Sequence, residues 1–175
     1  MKKLVIASGL SIVLILSVTA CSTPRTRPTP AAAPIDQTTI ASEMDSLLTE
    51  TMDALLPLQP DATIAAVPTE GQHSGFEFVE GQCRYSTGVA KFSFAFSRTD
   101  MNQVLTTVDP ILERHGFPSA EEETGAQGWS GIRAEAANGS VIYLHGRGDN
   151  DAEAYSGPLP AIDDESSCLA LNAAR

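Results

Sequence analysis

Cysteine, histidine, serine and clustered carboxylates are the residue types here that could do chemistry, and their spacing limits what that chemistry is. The chain has three cysteines, Cys21, Cys83 and Cys168. None has a second Cys or His at ligand spacing, so a zinc site is not expected. Gly128-Trp129-Ser130-Gly131 opens like a nucleophile elbow, but that pattern requires glycine where Ile132 stands. His73, His115 and His145 fall on separate predicted elements, and their spacing neither supports nor excludes a Ser-His-Asp site. Asp149-Asn150-Asp151-Ala152-Glu153 begins like a calcium loop. Its sixth position is Ala154 rather than glycine, and its twelfth is Pro160 rather than a carboxylate. Asp149, Asp151 and Glu153 therefore read as a solvated acidic loop, with a weak divalent-ion site as the alternative. Arg147-Gly148-Asp149 is too short a match to carry weight. There is no phosphate-cradling glycine loop and no histidine pair at i, i+4, so no cofactor is implied.

Cys21 belongs to a different chemistry. Met1-Lys2-Lys3 is a short positive start, Leu4 to Val18 is almost wholly apolar, and Val18-Thr19-Ala20 places small residues before the thiol. That order matches a secretory signal, and the apolar core is short for a transmembrane helix. It resembles the lipobox of bacterial lipoproteins, which implies diacylglyceryl transfer to Cys21, cleavage after Ala20 and acylation of the new amino terminus. The alternative is an ordinary signal peptide with a cysteine at its cleavage site. Residues 1–20 are thus expected to be the signal and residues 21–34 a lipidated, Pro/Thr-rich stalk. Residues 35–175 are expected to form one extracytoplasmic domain. Frequent prolines favour polyproline II at about 3.1 Å per residue, so the stalk would lift the domain about 40 Å.

Removing Lys2 and Lys3 takes the formal charge from −11 to −13 and leaves Lys91 as the single lysine. Eight arginines then face 22 acids, which argues against a nucleic-acid partner and against adsorption on anionic headgroups. Membrane attachment is left to the acyl chains. Cys83 and Cys168 remain as an even pair in an oxidising setting, and a disulfide is the natural reading, with two buried thiols as the alternative.

These residues must be positioned by a small number of elements. A first helix is predicted from about Asp36 to Leu56, with Ile40, Met44, Leu47, Leu48, Thr51 and Leu55 on one face and Pro57 at its end. Gly75–Val79 and Gln82–Ser86 read as strands around Glu80-Gly81, and Val89–Ser97 as a strand whose Phe92, Phe94 and Phe96 face the core. A second helix is predicted from about Met101 to His115, with Pro110 inside it and Gly116 as its cap. An acidic loop around Glu121–Glu123 leads to a hairpin of Trp129–Ala136 and Ser140–Gly146 about Asn138-Gly139. Residues 148–165 read as a loop and Ser167–Leu171 as a last strand. The class is α+β, an antiparallel sheet of about five strands with two helices packed on one face.

A two-residue Asn138-Gly139 turn would pair Ala136 with Val141, Ala134 with Tyr143 and Ile132 with His145. The opposite face would then carry Trp129, Arg133, Glu135, Ile142 and Leu144, a candidate interaction surface. The alternative is that a helix covers this face or that Trp129 packs inside.

The lipobox, the Pro/Thr stalk, the amphipathic helix, Gly81-Gln82-Cys83-Arg84 and Ser166-Ser167-Cys168 together resemble small actinobacterial lipoproteins, including the mycobacterial LppA-like group. The resemblance implies a disulfide-tied α+β domain outside a cytoplasmic membrane and brings no catalytic residues. The expected role is a non-catalytic binding module, anchored in the membrane, for an envelope protein or a small ligand. An extracytoplasmic hydrolase and an immunity-type lipoprotein directed at a secreted toxin are the alternatives.

Overall fold

Helix α1 (Gln37–Leu55) follows from its apolar stripe: Ala41, Met44, Leu47, Leu48, Met52 and Leu55 are buried along one side. Thr51 enters the core satisfied, its hydroxyl donating to the Leu47 carbonyl at 2.7 Å. Pro57 stops the helix in a single 3-10 turn, Leu56–Leu58. Then come β1 (Ile64–Ala65), β2 (Gly75–Val79), β3 (Gln82–Ser86), β4 (Ala90–Phe92) and α2 (Met101–Arg114). They are followed by β5 (Glu121–Thr124), β6 (Ser130–Glu135), β7 (Val141–His145), β8 (Asn150–Tyr155) and α3 (Glu165–Ala170). The structure, a computed structural model, describes residues 37–65, 74–125, 128–146 and 150–174. The signal segment, Cys21, the stalk, His73 and Arg147-Gly148-Asp149 lie outside the described residues.

The class is α+β, and every strand pairing described is antiparallel. The sheet has eight strands rather than about five, in the order β1-β4-β8-β7-β6-β5, with β3 joining the end of β8 and β2 pairing β3. Three α-helices are described instead of two. They share one core with the inward side of the sheet, which contributes Cys83, Tyr85, Ile132, Ala134, Ile142, Leu144, Ala152 and Ala154.

Four segments differ from expectation, each for a local reason. Residues 148–165 are not a loop, because Asn150–Tyr155 forms β8, the strand between β7 and β4. Its inward residues are only alanines, Ala152 and Ala154, both fully buried where α1 crosses. Small side chains let the helix approach but give no bulky hydrophobic alternation to read. The acidic run Glu121–Glu123 lies in edge strand β5, paired with β6. The Phe segment keeps its three rings in the core but is a strand only at Ala90–Phe92. Beyond it, Gln59 bonds both Ala95 backbone groups, accepting from the N–H at 2.9 Å and donating to the carbonyl at 2.6 Å. A side-chain amide there does the work of a neighbouring strand. Ser167–Leu171 is not a strand, since Asp164 caps the start of α3, its carboxylate accepting from the Ser167 N–H at 2.8 Å.

A six-residue helix cannot hold itself together, and α3 is fastened instead. Cys168 is bonded to Cys83 of β3, closing a separation of 85 residues. Both sulfurs are fully buried. In the chain-entropy account such a cross-link contributes about 4–5 kcal/mol. Asn172, just beyond α3, accepts from the Phe76 N–H and donates to the Phe76 carbonyl, covering the outer edge of β2.

The β2–β3 connection is a two-residue turn with φ of 53° at Glu80 and 79° at Gly81, a type I′ geometry. Glu80 is the only non-glycine residue at positive φ among the described residues. Glu80→Asn should therefore raise stability by about 0.5–1 kcal/mol in urea denaturation, because asparagine tolerates this conformation better. An unchanged midpoint would show that the turn is not held in this form.

Candidate binding face

The hairpin that was to present the interaction surface has a different loop. Gly139 at φ 82° follows an Ala136 to Gly139 turn bond, and the Ala136 N–H donates to Ser140. The loop is thus three residues, 137–139, a type I turn with a glycine bulge. Asn138 accepts from the Ser140 N–H at 3.0 Å instead of occupying a two-residue turn. The consequence is a one-residue slip: Ala134 pairs with Ile142, Ile132 with Leu144 and Gly131 with His145. A slip of one residue moves every side chain of a strand to the other face. Ile142 and Leu144, expected outside, are 2% and 0% exposed and belong to the core. Arg133 and Glu135 do lie outside, bonded to each other at 2.8 Å.

Tyr143 and His145 take the outward positions in β7 that Ile142 and Leu144 vacate. They lie in a ridge that crosses four strands. Trp129, just before β6, lies 4.6 Å from the His145 ring, which stacks on Tyr143 at 4.5 Å and 21°. Tyr143 neighbours Tyr155 of β8 at 6.0 Å, and the Arg84 guanidinium of β3 lies 4.1 Å over the Tyr155 ring. The Trp129 indole rests on Gly125, where an added Cβ would meet Nε1 at 1.6 Å. Among the described residues, no helix packs on this side of the sheet, because Cys83, Tyr85, Ala152 and Ala154 present the opposite side to α1 and α3.

Below the ridge lies one buried carboxylate. Glu153, 6% exposed, accepts from the Ser86 hydroxyl at 2.7 Å and the Tyr143 hydroxyl at 2.5 Å. The two tyrosine oxygens are 3.4 Å apart. Burial, then the hydrogen bond to Glu153, raises the Tyr143 phenol well above its ordinary range. Burial also pushes Tyr155 up to about 12, with Glu153 adding to the shift and Arg84 opposing it. Both phenols stay protonated at neutral pH, and Glu153 is taken up by hydroxyl donors. This arrangement fixes the side chains relative to one another.

The remaining polar groups pair locally. His145 faces Glu123 at 2.9 Å, Arg84 bonds Glu77 at 2.7 Å, and Lys91 bonds Asp151. Asp151 and Glu153 therefore stand on a strand with separate partners, while Asp149 lies outside the described residues. Among the described residues, no three His, Cys, Asp or Glu side chains gather where they could hold a metal ion. His115 lies apart, 3.5 Å from Glu50, beside a cleft of about 540 Å³ bounded by the starts of α1, the 136–140 loop and Ser156–Leu159.

Of the expected surface residues, Trp129, Arg133 and Glu135 share the outer face, whereas Ile142 and Leu144 do not. Tyr143, His145, Tyr155 and Arg84 were missed. The alternation in Val141-Ile142-Tyr143-Leu144-His145 carried the signal, since the apolar pair Ile142 and Leu144 belongs inside. No protein-family model matches the chain, and it matches no curated protein and no solved structure.

Two measurements check this face. Leu144→Ala should cost about 2–5 kcal/mol of stability and Arg133→Ala no more than about 0.5, both read by chemical denaturation. The reverse order would restore the two-residue turn. The phenols give a pH test with a definite sign. Their folded pKa values lie above the ordinary 10.0, so the folded state holds protons that the unfolded state releases above that pH. Stability should stay level up to about pH 9 and fall above pH 10, and absorbance titration should show Tyr143 and Tyr155 ionising late. Ionisation of every tyrosine near pH 10 in the folded protein would contradict the Glu153 arrangement.

Proposed function

We infer that this protein is a lipid-anchored protein of the cell envelope, tethered through Cys21, whose domain binds a partner across the ridge from Trp129 to Arg84. The observation that carries the reading is a row of half-buried aromatic and charged side chains on the sheet side opposite the helices. An antiparallel sheet with one side packed leaves the other side open to a partner, and Trp, Tyr and Arg are the residues enriched where binding energy concentrates. A non-catalytic role suits the chemistry, because Glu153 is buried under its hydroxyl donors and the phenols resist ionisation. The lipobox order and the stalk support attachment at the outer surface of a membrane, as does the resemblance to actinobacterial lipoproteins. Among the described residues no helix is long and apolar enough to cross a membrane.

The test uses the full chain in its native cell. Wild type should partition into the detergent phase and Cys21→Ser into the aqueous phase. A photoreactive amino acid in place of Tyr155 should give a cross-linked adduct, whereas the same group in place of exposed Glu113 on α2 should not. Adducts from both positions alike, or from neither, would remove the outer face as the binding site.

A further inference from the structure

Arg84 shows how a cation sits on this sheet: its guanidinium lies over the Tyr155 ring while its Nε bonds Glu77. Among the described residues of the outer face, the cations of Arg84, Lys91 and Arg133 each have a carboxylate partner, Glu77, Asp151 and Glu135. The acids exceed the cations. Glu121 lies opposite Arg133 across the β5–β6 pairing, Glu123 faces only the imidazole of His145, and Glu153 is held by hydroxyls. The Tyr143 hydroxyl donates to Glu153 and lies 3.4 Å from the Tyr155 hydroxyl, so each phenol oxygen keeps acceptor capacity. The charge left over on the face is therefore negative.

That surplus decides between ligand classes. An anionic ligand would meet carboxylates on a chain of formal charge −11. A neutral sugar ring needs a flat aromatic face, but Tyr143 and His145 stack on each other at 21°, and the Trp129 indole rests between His145 and Gly125. Arginine or lysine side chains need neither. Their charged ends can reach Glu121, Glu123 and the phenol oxygens while their aliphatic stems lie along the ring edges. Resting on the binding role inferred above, we propose that the occupant of the ridge is a basic, arginine-bearing segment of an envelope protein, laid across β6, β7 and β8.

The probe is a synthetic peptide, acetyl-(Arg-Gly)4-amide, added to the full chain at low salt. Trp129 is the chain's single tryptophan, so its fluorescence reports binding at the ridge directly. Two variants with the same change in net charge separate docking from general attraction. Glu121→Gln with Glu123→Gln should weaken binding about tenfold. Asp53→Asn with Glu113→Gln, exposed on the helices, should change it less than about twofold. Amide shifts should fall on β6, β7 and β8, and binding should weaken as salt rises. Equal losses in both variants, no binding, or binding of chitotetraose or the (Glu-Gly)4 peptide in its place would overturn the proposal. The photo-cross-link distinguishes this failure from that of the binding role. An adduct at position 155 that resists protease would keep the role and remove the basic protein segment.

Discussion

Everything in this domain is arranged about β8, a strand with almost no side-chain bulk on one side and a buried carboxylate on the other. Ala152 and Ala154 allow α1 to lie close to the sheet, and the same strand turns Glu153 and Tyr155 outward. Its backbone is shared three ways, with β7 along its length, β4 at its start and β3 at its end. Without β8 the sheet would fall into three pieces, the β1–β4 pair, the β2–β3 hairpin and the strands β5–β6–β7. The helix layer and the outer ridge are thus two consequences of one strand.

Glu153 links the layers. A carboxylate at 6% exposure must be satisfied, and it is, by hydroxyls from β3 and β7. Those bonds hold Tyr143 beside Tyr155, and Tyr143 in turn gives His145 a ring to stack on. A row of half-exposed rings would lose little conformational freedom on binding, because the sheet has already ordered it. The disulfide plays the corresponding part at the other end, holding α3 and Asn172 over the edge of β2 so that this edge is closed to other strands.

The parts legible in the sequence were those whose local pattern agrees with their burial. Helix α1 showed a full apolar stripe, α2 showed its span with Gly116 as its cap, and the cysteine pair followed from an even count with Cys21 set aside. The unread parts are those where context overrides pattern. Strand β8 reads as an acidic loop because its core-facing residues are alanines, a choice made by the helix above them. Strand β5 reads as a charged loop because it is an edge strand, where carboxylates discourage further pairing. The β6–β7 register turned on one residue: Asn138-Gly139 fits a two-residue turn as well as the last two positions of a three-residue loop. Burying Ile142 and Leu144 decides between them. That same slip hid the ridge, since Tyr143 and His145 could be placed outward only after the register was known.

The role of β8 is open to direct measurement by amide hydrogen exchange. If it is the shared inner strand, the amides of Ala152 and Ala154 should exchange as slowly as any in the protein, near the rate set by global unfolding. Exchange at the rate of an exposed acidic loop would contradict the account, removing the platform for Glu153 and with it the ridge.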